Sequence, residues 1–330
     1  MQATWYEKQG PAHDVLVVGT MADPQPGPGE VRIRVRASGI NPGDVKKRQD
    51  AFGVGMPFPR VIPHSDGAGV VDRVGPGVPA SRVGQSVWCY GAQSYRPFGT
   101  AAEFTVVPEG QAVPLPEGVS FEQGACVGIP GITAHRAIHA GGAVADRTVL
   151  VQGGAGAVGM CAVGLARLAG ARVIATVRSQ PGVAAATAAG AHDVVCTDGL
   201  SEQDIVAALR KVATNGIDHI VEVAFDANVS IDVQVLSSGG SIGAYATGQS
   251  TPSIPFWPLV FQNARVHFLG SDDFPSEAKT AAARDINAFL GSGWPGFSVD
   301  RTFTLAEIAE AHVQVEAGAR RGRVVVLVPR

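Results

Sequence analysis

Apolar and polar positions alternate with a period of two through the first third of the chain. In EVRIRVRAS, Val31, Ile33 and Val35 fall on one face and Arg32, Arg34 and Arg36 on the other, which predicts a half-buried strand whose arginine face is solvated. GAGVVDRVG, QSVWCYG and AAEFTVVPEG read as further short strands punctuated by Gly and Pro, so this region predicts a small, mostly antiparallel barrel or sandwich. The period changes near Ser120. SFEQ has the form of a capping box, Ser120 with Gln123, and opens a helical region carrying CVGIPGITAHRAI. Beyond it, apolar runs and helical stretches alternate: TVLVQG, a helix from about Ala157, RVIATV, a helix to about Gly190, DVVCT, a helix after Ser201, IDHIVEVA and GSIGAYA, with a sixth strand near Val266 in ARVHFLG. Strands apolar on both faces and separated by helices predict an α/β, doubly wound parallel sheet. A helix over about Pro275 to Leu290, a capping box at Thr304 and Glu307, and the closing strand RVVVLV complete the pattern.

The chain has 330 residues, above the usual size of a single core, and two lobes are expected. With 45% hydrophobic and 17% charged residues it has ample material for a globular core. A net charge of -3 supplies no broad basic field, so neither nucleic acid nor an anionic membrane surface is an expected partner. The apolar region Ala157 to Val177 is long enough to raise the question of a membrane helix. Arg167 and Arg172 argue against one, and Gly170 divides the region into a core helix and a core strand. The opening MQATWYEKQGPAHD lacks the order of a secretory signal. Cys89, Cys126, Cys161 and Cys196 are dispersed, without metal-ligand spacing. Both features predict a cytoplasmic protein with reduced, buried thiols.

A glycine motif supplies the first chemistry. The chain contains 42 glycines, so a bare GxGxxG spacing carries little weight, and context decides. Gly154, Gly156 and Gly159 directly follow the strand TVLVQ and precede a helix and a second strand, the arrangement a dinucleotide fold requires. Gly154 would permit the tight turn, Gly156 the approach of a pyrophosphate, and Gly159 close packing of helix on strand. With Ala155, Ala157 and Val158 between them, these residues form the expected cofactor cradle, the helix-start amides binding the phosphates. The alternative is ordinary glycine-rich packing. At the end of the second strand, ATVRS places Thr176, Val177, Arg178 and Ser179 where an acid would accept hydrogen bonds from the ribose of NAD. Arg178 and Ser179 instead suit a 2′-phosphate. A charge-assisted hydrogen bond of roughly 1.5–3 kcal/mol corresponds to about one to two orders of magnitude in favour of NADPH. The alternative for Arg178 is a solvated surface arginine.

With these residues in view, the sequence resembles the medium-chain dehydrogenase/reductase superfamily, and within it the zinc-independent quinone oxidoreductases that include zeta-crystallin. The likeness rests on GINPGD at Gly39 to Asp44, PHSDGAGVV at Pro63 to Val71, GIPGITAHRA at Gly128 to Ala137, the glycine turn, GIDHIVEV at Gly216 to Val223, and LSSGGSIGAYA at Leu236 to Ala246. The resemblance implies a Rossmann-type nucleotide domain, placed at 123–267, and a GroES-like, mainly β catalytic domain built from 1–122 and 268–330. It also implies a homodimer joined through the last strand of the nucleotide sheet. At the metal-ligand positions of the related zinc alcohol dehydrogenases, which carry Cys, His and Cys, this chain has Asn41, Ser65 and Ile129. An amide, a hydroxyl and an alkyl group do not replace that set, so no metal is expected. His64, beside one of these positions, reads as a hydrogen-bonded structural histidine.

By the same resemblance Asn41 and Thr133 lie near the nicotinamide and the substrate carbonyl. Phe268, Leu269 and Gly270 meet the carboxamide, and Arg323 stands near the cofactor. Val223, Ala224, Tyr245 and Ala246 follow the fourth and fifth strands, at the sheet edge where ligands bind. Lys46 departs from the family, where a tyrosine is frequent. It either orients a carbonyl and steadies an oxyanion or is a solvated helix-face charge. Tyr90, Tyr95 and Phe98 either stack on a flat quinone or pack as core and lid. Without a metal to polarise an alcohol, the expected reaction is hydride transfer from NADPH to a quinone. Reduction of the double bond of an enal or enone, and a non-catalytic NADPH-binding role, are the alternatives.

Overall fold

The N-terminal segment pairs with itself: β1 (Gln2–Trp5) runs antiparallel to β2 (Val17–Thr20), with the one-turn helix α1 (Ala12–Val15) between them. The alternating arginine run is β3 (Glu30–Gly39), followed by α2 (Pro42–Arg48), β4 (Asp66–Val74), β5 (Ser86–Cys89), β6 (Phe104–Pro108) and β7 (Ala112–Pro114). Strand β3 is central and pairs antiparallel with β4 and β6. Val31, Ile33 and Val35 are fully buried, as the alternation predicts. The opposite face is not simply solvated. Arg32 is only 3% exposed, donates to Asp72 through Nε and Nη2 at 2.9 and 2.7 Å, and lies 4.5 Å above the Phe104 ring. A neighbouring strand supplies the carboxylate that makes this burial affordable.

This computed structural model describes residues 1–318 and 322–329. Helix α3 (Phe121–His139) opens as SFEQ predicts, with the Gln123 amide donating to Ser120 Oγ at 3.3 Å, but the box is half used. The Gln123 side chain donates to Phe297 O and accepts from Phe297 N at 2.9 and 2.7 Å, tying the C-terminal return to the helix. The next elements are β8 (Thr148–Val151), α4 (Ala157–Leu168), β9 (Arg172–Val177), α5 (Gln180–Ala189), β10 (Asp193–Cys196), α6 (Glu202–Val212), β11 (Ile217–Glu222), α7 (Phe225–Val235), β12 (Leu236–Ala244), α8 (Phe256–Phe261), β13 (Arg265–Phe268) and α9 (Ser276–Leu290). Helix α5 stops at Gly190, which takes φ 112°, and α6 starts at Ser201, whose Oγ accepts from Asp204 N at 3.2 Å, both as their residue types favour.

The strands form a six-stranded sheet in the order β10-β9-β8-β11-β12-β13, parallel at every pairing. This is the doubly wound arrangement, in which the order reverses between β8 and β11. Its core includes Leu150, Ile174, Leu209, Ile217, Ile220 and Phe225. The chain then returns through β14 (Val299–Thr304), α10 (Ile308–Glu316) and β15 (Arg323–Leu327). β15 pairs antiparallel with β3, and β14 lies parallel outside it.

Two units result: Met1–Ile129 with Gly296–Arg330, and Pro130–Pro295. They divide inside α3 and after α9, whereas the sequence reading divides at 123 and 268. Helix α9 stays with the parallel sheet because Phe289 packs on Gly164 of α4, where even a Cβ would come within 2.1 Å of the ring.

Candidate active site

The glycine turn leaves the sheet at the C-terminal end of β8, beside the point where the strand order reverses. The conformation that needs glycine is at Gly153, with φ 70°, one residue before the position the motif picks out. Gly154 is required for space, since a Cβ there would stand 2.7 Å from the Ala175 Cβ. Its amide donates to Thr176 O at 2.8 Å, while the Gly153 amide donates to Thr176 Oγ1 at 3.1 Å. Gly156 is exposed and N-caps α4 with φ -75°. Gly159 is buried, and a Cβ there would meet Gly153 O at 2.1 Å, so this glycine sets how closely the helix lies on the turn. Ala155, Ala157 and Val158 are half-buried in the same turn. The amides of the first helical turn have no intrahelical acceptor, and the helix dipole adds to their attraction for an anion. Arg178 and Ser179 follow β9 directly and are both exposed, with Ser179 at the N-cap of α5.

Other predicted residues of this unit have varied settings. Thr133 is buried in α3. Val223 stands at the end of β11, its Cγ1 3.0 Å from where a Gly153 Cβ would be. Tyr245 follows β12 and donates its amide to Glu222 O at 3.1 Å, and burial holds its hydroxyl protonated, well above the ordinary tyrosine range. Phe268 ends β13 and is 71% exposed, with its ring edge-on to Phe225 at 5.4 Å. Gly270 begins the short turn that follows.

The β-rich unit contains a buried polar cluster. Asn41 caps α2, its amide N–H donating to Asp44 Oδ2 at 2.7 Å. Its side chain donates to Asp66 Oδ2 at 2.7 Å and accepts from Arg323 Nη2 at 2.8 Å, so the amide orientation is fixed from both sides. Arg323 is 4% exposed and sits 5.9 Å from the Phe297 ring. Asp66 Oδ1 accepts from Ile129 N at 2.8 Å. Burial raises Asp44 to about 6 and Asp66 to about 7. The structure therefore joins Asn41 to Arg323, with two acids that sequence reasoning did not single out. Lys46, by contrast, is exposed on α2. Tyr90 is buried, Tyr95 is 70% exposed, and Phe98 packs against the core that contains Ile62.

His64 is fully buried. Its Nδ1 meets Ser38 Oγ at 2.8 Å and its Nε2 meets His312 Nε2 at 2.9 Å, and burial lowers it to about 3. His312 Nδ1 accepts from Arg48 Nε at 3.4 Å. Arg48 cannot accept, so His312 must donate to His64, His64 to Ser38, Ser38 to Thr100, and Thr100 to Asp66 O at 2.6 Å. The ring is a structural link in this chain of donors.

The alcohol dehydrogenase GroES-like domain matches residues 27–117 and the zinc-binding dehydrogenase family matches 157–284. The quinone oxidoreductase of Rattus norvegicus is 31% identical over 309 residues, covering 92% of this chain and 91% of that protein. An alcohol dehydrogenase superfamily protein from Novosphingobium aromaticivorans is 27% identical with a TM-score of 0.85, over 100% of both chains. A mycobacterial quinone oxidoreductase is 25% identical with a TM-score of 0.84, over 99% of both chains. The zinc in one of these family names does not fit the residues present. The Asn41 amide is committed to Asp66 and Arg323, and Ser65 and Ile129 offer a hydroxyl and an alkyl group. Among the described residues, no three His, Cys, Asp or Glu side chains are grouped to hold a metal.

Proposed function

Because the chain belongs to the medium-chain dehydrogenase/reductase superfamily, in its quinone oxidoreductase branch, and is an oxidoreductase, we propose that it uses NADPH to reduce a quinone without zinc. The carrying observation is the exit of β9, where Arg178 and Ser179 stand exposed at the position of the NAD-selecting acid, next to the open N-terminus of α4. The amides of Ala157, Val158 and Gly159 receive the diphosphate, which the bare Gly156 backbone lets approach. Arg178 and Ser179 receive the 2′-phosphate, and Val223, Tyr245, Phe268 and Gly270 border the nicotinamide half. The bound nicotinamide supplies a hydride. Asn41, held by Arg323 and Asp66, is assigned to the acceptor carbonyl through its second Nδ2 hydrogen, and Thr133 is assigned to the substrate as well. Preorganisation of this kind stabilises a developing oxyanion. The final proton comes from solvent, and Lys46, exposed on α2, is assigned no step.

The protein is proposed to act in the cytoplasm as a homodimer. Among the described residues, no helix is long and apolar enough to cross a membrane. Strand β13 is the edge of its sheet, and Phe256, Trp257 and Phe261 on α8 are 58%, 63% and 76% exposed, which supports edge pairing with a second copy. Side-by-side turnover of a quinone and an enone, with product analysis, tests the acceptor. Quinol formation is expected to dominate, and faster enone turnover to a saturated product would overturn the assignment.

A further inference from the structure

A second polar network, within the parallel-sheet unit, lies behind the glycine turn. Gln152, Thr176, Glu222 and Asp232 come from the ends or interiors of β8, β9, β11 and α7, and all are at most 4% exposed. The Gly153 amide donates to Thr176 Oγ1 at 3.1 Å, so the Thr176 hydroxyl donates onward to Gln152 Oε1 at 2.6 Å. The Gln152 amide therefore turns its Nε2 to Asp232 Oδ1 at 2.8 Å. On the far side, Glu222 Oε1 accepts from the Ala224 amide and from Asn228 Nδ2. The remaining oxygens, Glu222 Oε2 and Asp232 Oδ2, are buried without a donor, and the two carboxyls lie within interaction range of each other. Two carboxylates in that position would be two acceptors and two like charges in a low-dielectric interior. A single proton between them satisfies both oxygens and removes one charge.

We propose that Glu222 and Asp232 share one proton, and that this proton, by removing the repulsion between the two carboxyls, keeps Asp232 Oδ1 in place as the terminal acceptor of the relay through Gln152 and Thr176 that holds Gly153 in its left-handed conformation. The pair are positioning residues for the turn that carries the diphosphate, and this rests on the cofactor reading above. The titratable groups facing the pair are each other and Tyr245 beyond β12, with Cys161 of α4 beyond Tyr245. Burial pushes both acids upward, and Asp232 is pushed further by Glu222. Val223, next to Glu222, closes over Gly153, so the same segment touches both ends of the relay.

The test uses Glu222→Gln, Asp232→Asn, the double variant and Thr176→Val in the full chain. A glutamine at 222 accepts from Ala224 and Asn228 through its oxygen and donates to Asp232, and an asparagine at 232 accepts from Gln152 and donates to Glu222. Each single amide therefore replaces the proton and should fold as wild type does, whereas the double variant sets two NH2 groups against each other and should lose more stability than the singles together. A carboxyl whose proton is held more tightly in the folded state loses stability as pH rises from its unfolded value toward its folded one. The folding constant of wild type should thus fall about tenfold more per pH unit across that window than that of either single variant. Equal slopes, or additive losses in the double variant, would overturn the shared proton. Thr176→Val cuts the relay at the turn and should weaken NADPH binding about tenfold in calorimetry while the chain stays folded. Unchanged binding would overturn the link to the turn. If wild type binds no pyridine nucleotide, the cofactor reading fails and takes the positioning role with it, while the pH slopes still report on the proton.

Discussion

Gly156 and Gly159 lie three residues apart in one motif, yet the structure gives them separable roles, and alanine at each tells them apart. At Gly159 the added Cβ would stand 2.1 Å from Gly153 O and 2.9 Å from the Gly154 Cα. Both are backbone atoms of the turn, so relief requires α4 to move off the strand. Overpacking of this kind costs typically 1–3 kcal/mol. For a unit the size of Pro130–Pro295, at about 2–4 °C per kcal/mol, Gly159→Ala should lower Tm by roughly 2–12 °C. At Gly156 the nearest atom is Gly153 O at 3.3 Å, a contact that a few tenths of an ångström relieves. Its φ of -75° suits any residue, and replacing glycine by alanine at an N-cap costs about 0.5 kcal/mol, the difference between losing a cap to alanine and losing it to glycine. The exposed methyl would, however, occupy the approach to the helix-start amides. Gly156→Ala should therefore keep most of the wild-type Tm and lose tenfold or more in NADPH affinity. Thermal unfolding and calorimetry on both variants read this out. If Gly156→Ala binds NADPH as wild type does, or unfolds as early as Gly159→Ala, the separation of roles is wrong.

Arg178→Ala should reduce the preference for NADPH over NADH by about one order of magnitude, as expected for one charge-assisted contact. An unchanged ratio of Kd values would return Arg178 to the status of a solvated side chain. The buried His64 is lowered to about 3, so it stays neutral in the fold while the unfolded chain takes up a proton below about 6.5, and its contribution to stability falls as pH drops. By pH 5 that loss is about 2 kcal/mol. His64→Asn, which suits the left-handed φ of 75° at this position, should therefore be penalised less at pH 5 than at pH 7, and a penalty independent of pH in denaturant titrations would refute this. Asp66→Asn should flatten the opposite trend, because Asp66, raised to about 7 by burial, favours the fold in its protonated form and loses that contribution as pH rises from 4 through 7. Trp257→Glu with Phe261→Glu should shift the protein to monomer in sedimentation velocity, and a persisting dimer would place the interface elsewhere.

The elements legible in the sequence were those whose period is set by burial. Strands β8, β9, β11 and β12, apolar on both faces, can be read from TVLV, RVIATV, IDHIVE and GSIGA. Strand β14 escaped because VDRTFT buries only Phe303 at the edge of its sheet, leaving no alternation to find. Helix α8 escaped because FWPLVF exposes its aromatics, which a burial pattern reads as core. The glycine motif located the turn but not Gly153, whose φ depends on contacts with Thr176 and Val223. Arg32 with Asp72, Gln123 with Phe297, and Gln152 with Asp232 are separated by 40, 174 and 80 residues. No local period records such pairings. Glu222 is the sharpest instance, a fully buried acid at the end of a largely apolar strand whose partner lies on the following helix and whose consequence lies at the turn.

The proposed reaction is hydride transfer from NADPH to a conjugated acceptor at a site without zinc. Its most direct measurement is anaerobic NADPH oxidation with a benzoquinone by protein dialysed against a strong chelator and checked for metal content. Turnover should be undiminished by chelation, with hydroquinone formed mole for mole with NADPH consumed. Loss of turnover on chelation that zinc restores, or no NADPH oxidation at all, would contradict it.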